Sequence, residues 1–154
     1  MFLVDEPPER VLSLTRILDA PRALVFEVWT RPEHLVRWWG PKDFTLPHCT
    51  CDFRVGGSYR YCMRAPDGTD HWVWGVYQEI VEPERLVFTW ERDDLEGVRR
   101  KSKTVVTVTL VEFEGKTKLT LFQTLFQTTA DRDEHRGGWN ECLDRLVGYA
   151  EQSR

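Results

Sequence analysis

Residues 131–151 read DRDEHRGGWNECLDRLVGYAE, and this stretch decides the fold. Trp139, Cys142, Leu143, Leu146, Val147 and Ala150 recur at helical spacing, while Glu141, Asp144, Arg145 and Glu151 mark the opposite side. Asp131, with Glu134 three residues on, resembles a capping box. The stretch is therefore a long amphipathic helix whose apolar stripe needs a surface to lie on. Upstream, from Asp43 to Gln127, almost every signal is a strand, broken at Gly56-Gly57, Pro66-Asp67-Gly68, Glu82-Pro83-Glu84-Arg85, Asp93 to Ser102 and Glu114-Gly115. These breaks leave six strands in series, and short turns between consecutive strands make them antiparallel. A further strand runs from Val11 to Leu18. Together they predict one curved antiparallel sheet of about seven strands, whose half-apolar face receives the C-terminal helix.

Two short helices separate strands 1 and 2. Pro21 opens the first, where a missing N–H costs nothing, and Leu24, Val25, Val28 and Trp29 mark its buried side. The second runs through Leu35, Trp38 and Trp39 until Gly40-Pro41 stops it. No βαβ crossover is visible, so the fold class is α+β. Of 154 residues, 41% are hydrophobic and 19 are aromatic (7 Trp, 4 Tyr, 8 Phe), enough for one core. The expected organisation is a flexible acidic arm over residues 1–10 and a single domain over residues 11–152.

Charge and hydropathy exclude several function classes. A net charge of −4 is no footprint for nucleic acid, and no apolar run approaches the roughly 20 residues that cross a bilayer. The N-terminus carries acids where a secretion signal needs bases, so a cytoplasmic location with reduced Cys49, Cys51, Cys62 and Cys142 is expected. Cys49-Thr50-Cys51 lacks the second ligand pair of a zinc site, so no metal is expected. Arg99, Arg100, Lys101 and Lys103 follow Asp93, Asp94 and Glu96 in a loop of mixed sign, read as solvated. Gly56-Gly57 and Gly137-Gly138 lack the context of a phosphate loop, and no cofactor is expected. Exposed sheet edges make a homodimer an expectation.

Several motifs resemble a known family. Asp52 to Tyr59 (DFRVGGSY), Gly75 to Ile80 (GVYQEI), Pro83 to Trp90 (PERLVFTW) and Gly138 to Leu146 (GWNECLDRL) are similar to bacterial proteins related to the activator of the heat-shock chaperone ATPase. Ala20-Pro21, Trp38 and Gly40-Pro41 fit the same pattern. That family lies in the helix-grip, START-like or SRPBCC superfamily, and the resemblance covers residues 11 to 150. It implies a helix-grip fold with a hydrophobic cavity between sheet and long helix, and no common catalytic set. Binding of a small hydrophobic or aromatic molecule is the leading expectation. Association with a chaperone is the second; the eukaryotic activators carry an additional N-terminal domain, and only ten residues precede the fold here. A cyclase-like or hydrolase-like enzyme is the third.

Hairpin arithmetic suggests which side chains face the cavity. A two-residue turn at Gly56-Gly57 sets Arg54 opposite Tyr59, Asp52 opposite Tyr61 and Thr50 opposite Met63, with His48 on the same face. A four-residue turn at Pro66 to Thr69 then sets Met63 opposite Trp72, Tyr61 opposite Trp74 and Tyr59 opposite Val76. A simple turn at Pro83 would pair Ile80 with Val87, yet Leu86, Phe88 and Trp90 form the inward set, so a bulge or different register is required. Trp139, Leu143 and Leu146 close the cavity from the helix, and Trp38 lies near it. The same pattern also fits plain core packing. Asp52 and Arg54 share a face as a pair able to orient a polar group or to hold the hairpin in solvent. His48, Asp52, Tyr59 and Tyr61 would be the acids and bases of an enzyme, whereas His34 and His135, at helix starts, are read as solvated. Cys51 falls opposite Cys62, a geometry that allows a cross-strand disulfide, although reduced thiols are expected.

Overall fold

A computed structural model describes residues 10–92 and 103–153. The chain runs β1 (Leu12–Leu18), α1 (Arg22–Thr30), α2 (Pro32–Trp38), β2 (Thr45–Cys51), β3 (Ser58–Arg64), β4 (Asp70–Val81), β5 (Arg85–Arg92), β6 (Thr104–Phe113), β7 (Lys116–Thr124) and α3 (Thr129–Ser153). The strands form one antiparallel sheet in the order β1-β7-β6-β5-β4-β3-β2, so β1 and β2 are its edges. This is the expected α+β helix-grip arrangement of seven strands and a long C-terminal helix, with two short helices between strands 1 and 2. Residues 1–9 of the N-terminal arm and Arg99, Arg100 and Lys101 of the basic run lie outside the described residues.

Alternation explains how the sheet receives α3. On β6 and β7, Val106, Val108, Leu110, Leu119 and Leu121 point to one face and are buried. Against that face α3 lays Trp139, Cys142, Leu143, Leu146 and Ala150, all buried and all part of the single apolar core. The cap differs from the expected one. Thr128 accepts the Asp131 backbone N–H through Oγ1 at 3.0 Å, so Thr128 is the N-cap and Asp131 sits in the first turn with its carboxylate turned elsewhere.

Turn lengths correct the predicted faces. The β2–β3 loop is five residues long, Phe53 to Gly57, and pairs Cys51 with Tyr59, Cys49 with Tyr61 and His48 with Cys62. Its form comes from a close approach: a Cβ on Gly57 would stand 2.0 Å from the Asp52 carbonyl oxygen. The loop also reaches across to β4, where Gly56 N–H donates to Tyr77 O at 2.8 Å and Tyr77 N–H to Gly57 O at 2.9 Å. The register differs from the predicted one by three residues, an odd number, and therefore swaps the two faces of β2. Cys49 and Cys51 join the tyrosine side, while His48 and Thr50 point outward.

The next turn spans three residues, Pro66 to Gly68, with Gly68 at φ +90° and Ala65 N–H donating to Thr69 O at 2.8 Å. One residue fewer than predicted sets Met63 opposite His71, Tyr61 opposite Val73 and Tyr59 opposite Gly75. Trp72 and Trp74 consequently lie on the outer face. Between β4 and β5 the required bulge is present between Tyr77 and Glu79, after which Ile80 pairs with Leu86. Leu86, Phe88 and Trp90 all face the core. The predicted Cys51–Cys62 juxtaposition is absent because the two lie on opposite faces, and all four cysteines are free thiols.

Candidate ligand-binding cavity

Under the N-terminal half of α3 the sheet and helix part around a cavity of about 360 Å³, within the usual range of small-molecule pockets. Trp39, Gly40, Pro41 and Phe44 from the loop after α2 form one wall, and Met63, His71, Val73 and Trp90 from β3, β4 and β5 form the floor. Gly138, Trp139 and Cys142 of α3 form the roof, with Arg92, Glu134 and His135 at one end.

The loop wall is fastened to α3. Arg145 Nη1 donates to the carbonyl oxygens of Gly40 (3.1 Å), Pro41 (2.9 Å), Phe44 (3.2 Å) and, more weakly, Trp39 (3.4 Å). Gly40, at φ +106°, turns its N–H to Cys142 Sγ at 3.3 Å, and Lys42 N–H reaches Glu141 Oε1 at 3.0 Å. Burial pushes the Cys142 thiol up to about 12 despite the Gly40 N–H and Arg145, so it is an inert packing group at neutral pH.

Three indoles form the apolar surface. Trp39, Trp90 and Trp139 pack mutually with ring centroids 5.3 to 6.1 Å apart. Trp139 Nε1 donates to Gln123 Oε1 (2.8 Å), Gln123 Nε2 to Thr104 Oγ1 (2.9 Å), and Thr104 Oγ1 to the Trp90 carbonyl (3.0 Å). A buried polar chain thus fixes the Trp139 ring from behind and ties it to the Trp90 backbone.

The polar end is a charge network. Arg92 Nη2 donates to Asp131 Oδ1 at 3.0 Å and to Glu134 Oε1, and Trp90 Nε1 donates to His135 Nε2 at 3.1 Å. An indole N–H can only donate, so His135 Nε2 accepts and its proton sits on Nδ1, facing the Asp131 carbonyl at 2.9 Å. Burial alone would raise the Asp131 carboxyl, but His135 and Arg92 outweigh it and hold the group at about 2. The folded value lies below the unfolded one, so this carboxylate's contribution to stability is present above about pH 4 and lost as pH falls toward 2. Melting temperatures of the parent and Asp131→Asn are therefore expected to differ at pH 6 and to converge by about pH 2.

A family model described as Activator of Hsp90 ATPase homolog 1-like protein matches residues 19–151. The chain belongs to this family. Among solved structures, a Nitrosomonas europaea protein is 25% identical with a TM-score of 0.80, over 96% of this chain and 97% of that one. A Chromobacterium violaceum protein is 27% identical with a TM-score of 0.81, over 92% and 97% of the two chains. An Arthrobacter aurescens protein, also 27% identical with a TM-score of 0.81, covers 94% of this chain and 87% of its own. Among curated proteins none matches.

In this member of the activator-like family the predicted site residues fall into four groups. Met63, Trp90 and Trp139 line the cavity. Tyr59, Tyr61 and Phe88 lie further along the sheet around a void of only about 10 Å³, shared with Trp29, Tyr77 and Leu86. That space holds one water at most, and Tyr59 Oη closes it by donating to Thr89 O at 2.5 Å. Burial raises both Tyr59 and Tyr61 well above the ordinary phenol value, so neither titrates near neutral pH. Trp38, Leu143 and Leu146 are fully buried core.

His48, Asp52, Arg54, Trp72 and Trp74 lie away from the cavity, for the register reasons given above. His48 packs against Trp72 with tilted rings whose centroids are 5.3 Å apart, Arg60 lies over Trp72 at 3.9 Å, and Asp52 accepts from Arg54 Nε at 2.8 Å in solvent. His135, read as solvated, is buried because Trp90 and Arg92 of β5 reach up to the first turns of α3. His34 is half-buried, its Nδ1 2.7 Å from Tyr149 Oη. Among the lining residues missed in the sequence are Trp39, Phe44, His71, Arg92, Glu134 and His135. Two signals point to some of them: a three-residue reading of Pro66-Asp67-Gly68 turns His71 inward, and His135 stands one helical turn before Trp139. Among the described residues no three His, Cys, Asp or Glu gather as a metal site would need, and no helix is long and apolar enough to cross a membrane.

Proposed function

We propose that the chain binds a small hydrophobic or aromatic molecule in the cavity beneath α3. What carries this reading is an indole-walled chamber of about 360 Å³, two of whose three rings, Trp90 and Trp139, are hydrogen-bonded in place, so that little ordering remains to oppose a ligand. The experiment uses Gly138. A Cβ added there would meet only Pro41 Cγ, at 3.9 Å, so Gly138→Leu projects its branched end into the chamber. Removing a helix-interior glycine also favours folding by roughly 0.5–1 kcal/mol. With seven Trp in the chain, emission reports binding. A panel of aromatic and lipid-like compounds should contain members that shift emission and melting temperature of the parent, and Gly138→Leu should melt no lower while binding them at least tenfold more weakly. Silence of the parent toward the whole panel, or equal binding by the variant, overturns the reading.

The family match over residues 19–151 supports a second reading, association with a heat-shock chaperone. An ATPase assay with an Hsp90-type chaperone separates the two. Stimulation that survives Gly138→Leu places that activity outside the cavity, and no change in turnover removes it.

A further inference from the structure

We infer that Arg92 binds the polar group of the cavity's ligand, and that this group is a hydrogen-bond acceptor, a carbonyl-type oxygen carried on an aromatic body. This rests on the binding reading above and adds the ligand's polar chemistry to it. Arg92 stands opposite Val73 in the β4–β5 register and two residues beyond Trp90, so its side chain leaves the sheet on the same face as theirs and lines the same cavity. Only 16% of that side chain is exposed. A guanidinium has five N–H groups, and here its hydrogen bonds to described residues all run from Nη2, to Asp131 Oδ1 at 3.0 Å and to Glu134 Oε1. Nε is buried and has no partner.

Buried donors in native proteins are nearly always met, and those of a charged group are the costliest to leave open. Asp131 and Glu134 hold the guanidinium from α3 through one nitrogen, which orients it and leaves the rest of its donors unspent. The neighbouring imidazole does not supply the missing acceptor, because His135 Nε2 already takes the Trp90 indole proton. The open space at this end is the cavity itself. A ligand oxygen entering it completes the guanidinium with a charge-assisted hydrogen bond while the aromatic body lies among the indoles. A hydrocarbon of the same outline leaves the donor unmet, so the site selects by oxygen and not by size.

The test is a matched pair, acetylnaphthalene and isopropenylnaphthalene substituted at the same ring position, one with a carbonyl oxygen where the other has a methylene. Tryptophan emission and calorimetry give their affinities for the parent and for Arg92→Met, made together with Asp131→Asn so that no buried carboxylate loses its cation. The parent should bind the ketone at least tenfold tighter than the alkene. The variant, its folding checked by thermal melting, should reverse that order, because a ketone that finds no donor gives up its water hydrogen bonds for nothing. Infrared difference spectra of the carbonyl-labelled ketone supply a second reading that needs only the parent: the bound carbonyl stretch should lie below its position in cyclohexane. An alkene that binds the parent as tightly as the ketone, a ketone preference that survives in the folded variant, or a bound stretch at the cyclohexane position overturns this inference while binding itself stands. No response to either compound, together with a silent broader panel, removes the binding reading as well.

Discussion

Gly75→Ala is expected to cost about 3 kcal/mol, the upper end for forcing extra atoms into a packed interior. Gly75 faces the core from the middle of β4, opposite Tyr59. A Cβ there would lie 2.0 Å from the Thr89 carbonyl oxygen, 2.8 Å from its carbon and 2.8 Å from Tyr59 Cε2. Two of the three contacts are backbone and cannot rotate away. The same Thr89 accepts from Tyr59 Oη through its carbonyl and from Val76 N–H, at 2.9 Å, through Oγ1, so parting β4 from β5 breaks these bonds together. Gly137→Ala is the control. It sits inside α3 with nothing within 4 Å of the added Cβ, and should stabilise by roughly 0.5–1 kcal/mol. Urea unfolding of the two variants reads the contrast, and a Gly75→Ala transition superimposed on the parent's would show that the strands do not approach this closely.

Gly75 also shows why the elements were legible in the sequence and the inner face was not. Helix α3, the two short helices and the series of antiparallel strands follow from periodicity and turn chemistry, which are local. On β5 the side chains themselves choose the face, because Leu86, Phe88 and Trp90 alternate with less apolar neighbours, and that reading holds once the bulge is in place. On β2 to β4 both alternating sets contain aromatic or ionisable residues, so only turn length decides. Turn length there is non-local: the five-residue loop is held by Gly57 against Asp52 and by Gly56 and Gly57 against Tyr77 on another strand. An odd error in register turns His48, Asp52, Trp72 and Trp74 from wall to exterior at once. The polar end of the cavity was hidden for a related reason. Arg92 and the first turns of α3 are about 40 residues apart in sequence, and Asp131 and Glu134 look like ordinary helix-start acids until a strand supplies their guanidinium. Arg145, on the polar side of the helical pattern, turns out to hold the loop wall for the same kind of reason.

Trp38→Ala is expected to cost about 3–5 kcal/mol, a large share of the roughly 5–15 kcal/mol that such domains possess. Trp38 was a ligand-site candidate, but its side chain is completely buried and does not line the cavity. Its Nε1 donates to Val28 O at 3.1 Å. That carbonyl needs a donor because its helical partner four residues on is Pro32, which has no N–H. The ring also packs edge-on against Trp29 at 4.9 Å and against Trp39 at 5.3 Å, so it joins α1, α2 and the loop wall. Trp38→Phe keeps most of the ring volume and leaves the Val28 carbonyl unpaired, a loss of about 1–3 kcal/mol. Measured where it is still folded, Trp38→Phe should bind cavity ligands with the parent's affinity, since it touches none of them. A folded Trp38→Phe that loses binding would return Trp38 to the site, whereas lost stability with intact binding makes it the residue that carries a proline-broken helix end into the core.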